Sequence, residues 1–158
     1  MFYLIKLMLC LVITITSSFV GFSFSHRLYK RKEVLEQFVI ELKNALTQVR
    51  YSTDSLAKIF SKKFNGYYFD DETDFFVQWL KMLKIYENEL SKKDIEMLSS
   101  FAKNLGTSDL DGEINNLNMY IELLNNSIKE AQNNINLKSK LYRTLGMSFG
   151  LALSIMLF

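Results

Sequence analysis

The sequence predicts an all-α protein: a small, membrane-anchored helical bundle between two transmembrane helices, with a long C-terminal heptad helix leading into the second. Three observations predict it. Both ends lack charge: residues 7–25 (LMLCLVITITSSFVGFSFS) run for 19 residues without one, and residues 144–158 (TLGMSFGLALSIMLF) for 15 more. All 17 acidic residues and 18 of the 19 basic ones lie between these ends, Lys6 being the exception. The 158 residues include no proline and only six glycines, so little interrupts a helix. Finally, the last third carries an apolar repeat in alternating steps of three and four. The expected organisation is an N-terminal anchor at 1–25, a cytoplasmic bundle at 26–143 and a C-terminal membrane segment at 144–158.

The first uncharged run has the length of a spanning helix, which needs roughly 20 apolar residues. His26-Arg27-Leu28-Tyr29-Lys30-Arg31-Lys32 follows it, four basic residues in seven. Basic flanks stay cytoplasmic, so the short N-terminus is expected outside and the bundle inside. A cleaved signal peptide has its charge before the apolar region and a small-x-small site after it. Here the charge follows, and Ser17 to Gly21 makes a poor cleavage site, so the segment reads as an uncleaved anchor.

The helix is expected to continue through Leu28–Tyr51, where Leu28, Leu35, Phe38, Leu42, Ala45 and Val49, widened by Val39 and Leu46, share a face. Ser52-Thr53-Asp54-Ser55 supplies cap residues for a short helix over 55–64, and Asn65-Gly66 marks a turn. Asp70 to Asp74 opens a third helix, about 71–86, with Phe75, Phe76, Trp79, Leu80, Met82 and Leu83 on its apolar face. Ser91-Lys92-Lys93-Asp94 reads as a capping box for a fourth helix that ends at Leu105 with Gly106 as its stop.

The last helix is expected to start with Ser108 as N-cap and Asp111 three residues on. Its seam is Ile114, Leu117, Ile121, Leu124, Ile128, Ala131, Ile135, Lys138, Tyr142 and Leu145. Ile at a and Leu at d suit a parallel two-stranded coiled coil. The same seam also suits antiparallel packing on the Leu28–Val49 helix of its own chain. The final segment is short for a span, about 22 Å at 1.5 Å per residue. Lys140 and Arg143 can snorkel to extend it. Small residues recur four apart at Ser17, Gly21 and Ser25, and at Gly146, Gly150 and Ser154. That spacing lets helices approach closely in lipid, which makes Gly21, Gly146 and Gly150 candidates for helix packing in the membrane.

Several functions are disfavoured. The bundle's formal charge is 18 − 17 = +1, with no basic stripe beyond the membrane boundary, so nucleic acid is not an expected partner. Cys10 is the one cysteine and His26 the one histidine, which removes the usual nucleophile, base and zinc arrangements. Asp70 to Asp74 fits the first turn of a helix. Asp109-Leu110-Asp111-Gly112 fails as a calcium loop, because Thr107 and Asn118 would stand where acids are required. Trp79 and its neighbouring phenylalanines read as core. No phosphate-binding loop or nucleophile elbow appears. A non-enzymatic protein without catalytic residues, metal or cofactor is expected.

Two stretches carry a family resemblance. Leu105-Gly106-Thr107-Ser108-Asp109-Leu110-Asp111-Gly112-Glu113 opens the long helix, and Lys140-Leu141-Tyr142-Arg143-Thr144-Leu145-Gly146 precedes the apolar tail. With the N-terminal span, the basic flank and Tyr51 followed by Leu56, the chain resembles the stage III sporulation protein AB family, whose signatures are LG-x-SD and YRSLG. It departs from the family at Glu113, where Gln is usual, at Gln48-Val49 and at Asp54-Ser55. The resemblance implies a bundle similar to the cytoplasmic domain of type II secretion and type IV pilus inner-membrane platform proteins. It also implies a multi-pass location in the bacterial cell membrane, with the bundle in the cytoplasm of the mother cell. There the chain would be a platform component of the mother cell–forespore channel in endospore formation. The implied partners are the secretion-type sporulation ATPase and other channel proteins of the same operon, along with the lipid bilayer. Gly106, Ser108 and Asp109 are the candidate partner-binding residues, although a helix stop followed by a cap also explains them. The alternative function is a self-associating membrane coiled-coil scaffold, a homo-oligomer without an ATPase.

Overall fold

The computed structural model describes residues 2–51, 67–69 and 74–157. Among them the fold is all-helical, with no β-strand. The elements are α1 (Phe2–Tyr51), α2 (Phe75–Ile85), α3 (Lys92–Asn104), α4 (Leu110–Asn134), a π-helical segment (Ile135–Ser139) and α5 (Lys140–Leu157). The expected helix at 55–64, the turn at Asn65-Gly66 and Asp70 to Thr73 lie outside the described residues. The chain divides into two compact units, Met1–Lys30 with Glu130–Phe158, and Arg31–Lys129.

The Arg31–Lys129 unit is a helical bundle around one aromatic chain. Phe38 of α1 meets Trp79 of α2 at 5.9 Å between ring centroids, Trp79 meets Phe101 of α3 at 5.3 Å, and Phe101 meets Tyr120 of α4 at 5.2 Å. Phe38, Trp79 and Phe101 are fully buried. The Trp79 indole N–H donates to the Leu98 carbonyl at 2.9 Å, so the ring enters the core with its polar edge satisfied. Leu35, Leu42, Leu98, Leu117 and Leu124 complete the interior.

Local chemistry sets the helix ends. Asp74 caps α2, its carboxylate accepting from the Phe76 and Val77 N–H groups, so α2 starts at Phe75 rather than near Asp71. The Ser91–Asp94 capping box at α3 forms as expected. It is reinforced from α1: Arg31 Nε donates to Asp94 Oδ2 at 2.8 Å and a terminal guanidinium nitrogen to Oδ1 at 3.2 Å. Burial pushes the Asp94 carboxyl up. The hydrogen bonds from Arg31 and Ser91 outweigh that and hold it below its ordinary 3.8.

In the other unit, the start of α1 lies antiparallel to the π segment and α5. Ser25 Oγ and Ser139 Oγ are 2.9 Å apart, and Ser17 Oγ donates to the Gly146 carbonyl at 2.8 Å. Gly21 and Gly146 sit back to back: a Cβ on Gly21 would fall 2.6 Å from the Tyr142 carbonyl oxygen and 3.2 Å from Gly146 Cα. The surroundings of Gly150 lie outside the described residues.

The π segment corrects the expected seam. Leu117, Ile121, Leu124, Ala131 and Ile135 are buried as the heptads require. Beyond Ile135 the inward positions are Ser139 and half-buried Tyr142 and Gly146, whereas Lys138 and Leu145 are exposed. A π turn takes up one extra residue, which advances the inward face by one position. The physical reason is visible in the residues exchanged. Lys138 would have buried a charge, and Leu145 would have held the backbones apart where Gly146 lets them touch.

Among the described residues no helix is long and apolar enough to cross a membrane. The side chains of Leu7, Leu9, Cys10, Leu11, Ile13 and Thr14, on which much of the expected first span rests, lie outside those residues.

Candidate functional site

The residues singled out for partner binding meet at the corner between α3 and α4. The α3 helix ends at Asn104, Leu105 turns extended, and Gly106 adopts φ +77°, a left-handed conformation that favours glycine. Thr107 Oγ1 closes the turn by donating to the Asn104 carbonyl at 2.8 Å. Asn104 in turn donates to the Tyr120 hydroxyl at 3.2 Å, tying the corner to the aromatic core.

The cap differs from the one expected at Ser108. Asp109 Oδ1 accepts the Gly112 N–H at 3.0 Å, and the Asp109 carbonyl accepts the Glu113 N–H at 2.8 Å, so Asp109 is the N-cap of α4. Ser108 contributes its backbone N–H, which donates to Glu113 Oε1 at 3.2 Å. The cap depends on Gly112, because a Cβ there would lie 2.7 Å from both Asp109 Oδ1 and Ser108 Cβ.

Gly106, Ser108 and Asp109 are all exposed, and the turn brings them into one surface feature. Beside it runs an open groove of about 550 Å³ lined by Asp74, Phe75, Phe76, Ala102, Lys103 and Leu105. A second, smaller groove of about 270 Å³ lies between α2 and α3 at Leu80, Leu83, Lys84, Glu87 and Ile95. The smaller groove is mainly apolar, with Lys84 and Glu87 on its lining, and the larger one mixes Asp74 and Lys103 with apolar side chains. Among the described residues no group of three or more His, Cys, Asp or Glu is placed to hold a metal.

Glu113 was missed as a site residue. Only 1% of it is exposed, although it sits in the first turn of a helix that begins at the surface. The available signal was its spacing: Glu113, Leu117, Tyr120, Leu124 and Ser127 follow one inward line.

The sequence model of the stage III sporulation protein AB family matches residues 63–158. The chain belongs to that family. The match takes in α2, the α3–α4 corner, the π segment and α5, so the corner and Gly146 lie inside it and Gly21 lies outside. Neither the curated proteins nor the solved structures gave a match.

Proposed function

We propose that this stage III sporulation protein AB is a membrane platform component of the channel between mother cell and forespore, and that its bundle docks a secretion-type ATPase. The observation that carries the membrane part is the inverted polarity of the Met1–Lys30 and Glu130–Phe158 unit. Its interior holds Gly21, Ser25 and Ser139 beside Ala131 and Ile135, while most of the large apolar side chains whose burial is described point outward. Phe19 is 71% exposed and Met156 87%, and Ile15, Phe22, Phe149 and Ile155 are exposed with them. Water does not stabilise that arrangement; a lipid environment does, since helix pairs in lipid close on small residues and hydroxyls. The basic run from Arg27 to Lys32 supports a cytoplasmic position for that end.

The ATPase part is supported by the family resemblance and by the exposed corner at Gly106, Ser108 and Asp109, beside an open groove of mixed polar and apolar lining. Its test uses the full-length chain in lipid nanodiscs with the purified secretion-type ATPase of the same operon. Saturable binding lost on Asp109→Lys, with helicity unchanged, is the expected result. No binding of the wild-type chain overturns this docking.

A further inference from the structure

We propose that the α3–α4 corner is a receptor for a cationic side chain, an arginine of the docked partner, with Glu113 as its buried anchor. This deepens the docking reading above and rests on it. Glu113 Oε1 accepts the Ser108 N–H, but Oε2, although buried, has no hydrogen-bond partner among the described residues. A carboxylate left with an unsatisfied buried oxygen is costly, and native structures avoid it unless something else supplies the donor. The helix N-terminus accounts for an acid in the first turn and for the bond to Oε1. It offers nothing to Oε2.

The surroundings select the donor. Between Phe101 and Glu113 the chain carries three acids, Asp109, Asp111 and Glu113, against one base, Lys103. Asp109 and Asp111 are exposed, so the outer face of the corner is acidic. A metal ion fits poorly, because no group of three or more ligating side chains forms among the described residues. A guanidinium fits better: its fork donates in parallel to more than one acceptor and stays charged when desolvated. Glu113 is only 1% exposed, so seating the guanidinium requires the corner to open locally. The need for a donor belongs to this chain's Glu rather than to the corner as such.

The test compares the full-length wild-type chain with Glu113→Gln in lipid nanodiscs, measuring affinity for the operon's secretion-type ATPase and the melting temperature. Gln keeps the acceptor for Ser108 and removes the charge. The expected result is at least a tenfold loss of affinity with no fall in melting temperature. Equal affinity of the two overturns the anchor and leaves the docking reading standing. A second measurement uses the wild-type chain alone: the Glu113 side-chain carboxyl carbon is followed by NMR during titration with a tetra-arginine peptide. Movement of that resonance supports the receptor even if the ATPase does not bind or the variant does not fold. No movement at millimolar peptide overturns it.

Discussion

At the scale of single residues, the Arg31–Asp94 pair ties α1 to the start of α3. The Asp94 side chain is fully buried and that of Arg31 nearly so, at 0% and 12% exposure. Removing one partner of such a pair leaves a buried charge uncompensated, which costs about 3 kcal/mol. Arg31→Ala is therefore expected to lower stability by that amount in chemical denaturation, whereas Lys32→Ala, in an exposed pair with Glu36, changes it by less than about 0.5 kcal/mol. The pH dependence follows from the lowered Asp94 value. A carboxyl held below 3.8 when folded binds its proton more readily when unfolded. Its stabilisation is present above that pH and lost as pH falls through the folded value. Melting below about pH 4 is expected to fall more steeply in the wild type than in Asp94→Asn. At the corner, Gly112→Ala gains helix propensity, about 1 kcal/mol, but drives a Cβ into Ser108 and the Asp109 cap. Losing that cap costs about 1 kcal/mol and displacing the turn costs more, so a net loss of stability is expected in thermal denaturation.

At the scale of elements, the π segment and the glycine pair give separable outcomes. Ser25 and Ser139 lie within cross-linking reach, so Ser25→Cys with Ser139→Cys, in a Cys10→Ser background, is expected to form an intramolecular disulfide. Adding Gly21→Leu should abolish it, because the new side chain meets the Tyr142 carbonyl and the Gly146 backbone. Deleting Leu137 should keep it, since removing one residue from a π turn restores an α-helix without moving the faces on either side. Much of this scale was legible in the sequence. The Ser91–Asp94 box, the Gly106 stop and the buried Leu117, Ile121 and Leu124 all follow from local rules. The π turn was not legible, because a heptad count is blind to which register lets two backbones touch. The Asp109 cap was missed for a related reason: Ser108 and Asp109 are both good caps, and the choice depends on Gly112 accepting the close approach. Glu113 was hidden because an acid in a first turn is expected at the surface. The homodimeric seam is disfavoured by burial, since Leu117 and Leu124 are already fully covered within one chain. Cysteines at Ile121 are accordingly expected to give no inter-chain disulfide.

At the scale of the whole molecule, the two compact units follow opposite rules of burial. In Arg31–Lys129 apolar side chains turn inward around Trp79, and Asp94 is buried against Arg31. In Met1–Lys30 with Glu130–Phe158 Gly21, Ser25 and Ser139 turn inward with Ala131 and Ile135, and Phe19, Phe22, Phe24 and Phe149 turn out. One chain holding both patterns is the basis of the proposed membrane platform. The family places the chain in sporulation, and the corner between α3 and α4 gives the Arg31–Lys129 unit an exposed surface. The most direct measurement is thiol accessibility in intact vegetative cells expressing the full-length chain, in a Cys10→Ser background with single cysteines at Asp109 or Met156. Asp109→Cys is predicted to react with a membrane-impermeant maleimide only after the cells are opened, and Met156→Cys to react before. Labelling of Asp109→Cys in sealed cells, or release of the chain from the membrane fraction by alkaline carbonate, would contradict the membrane platform.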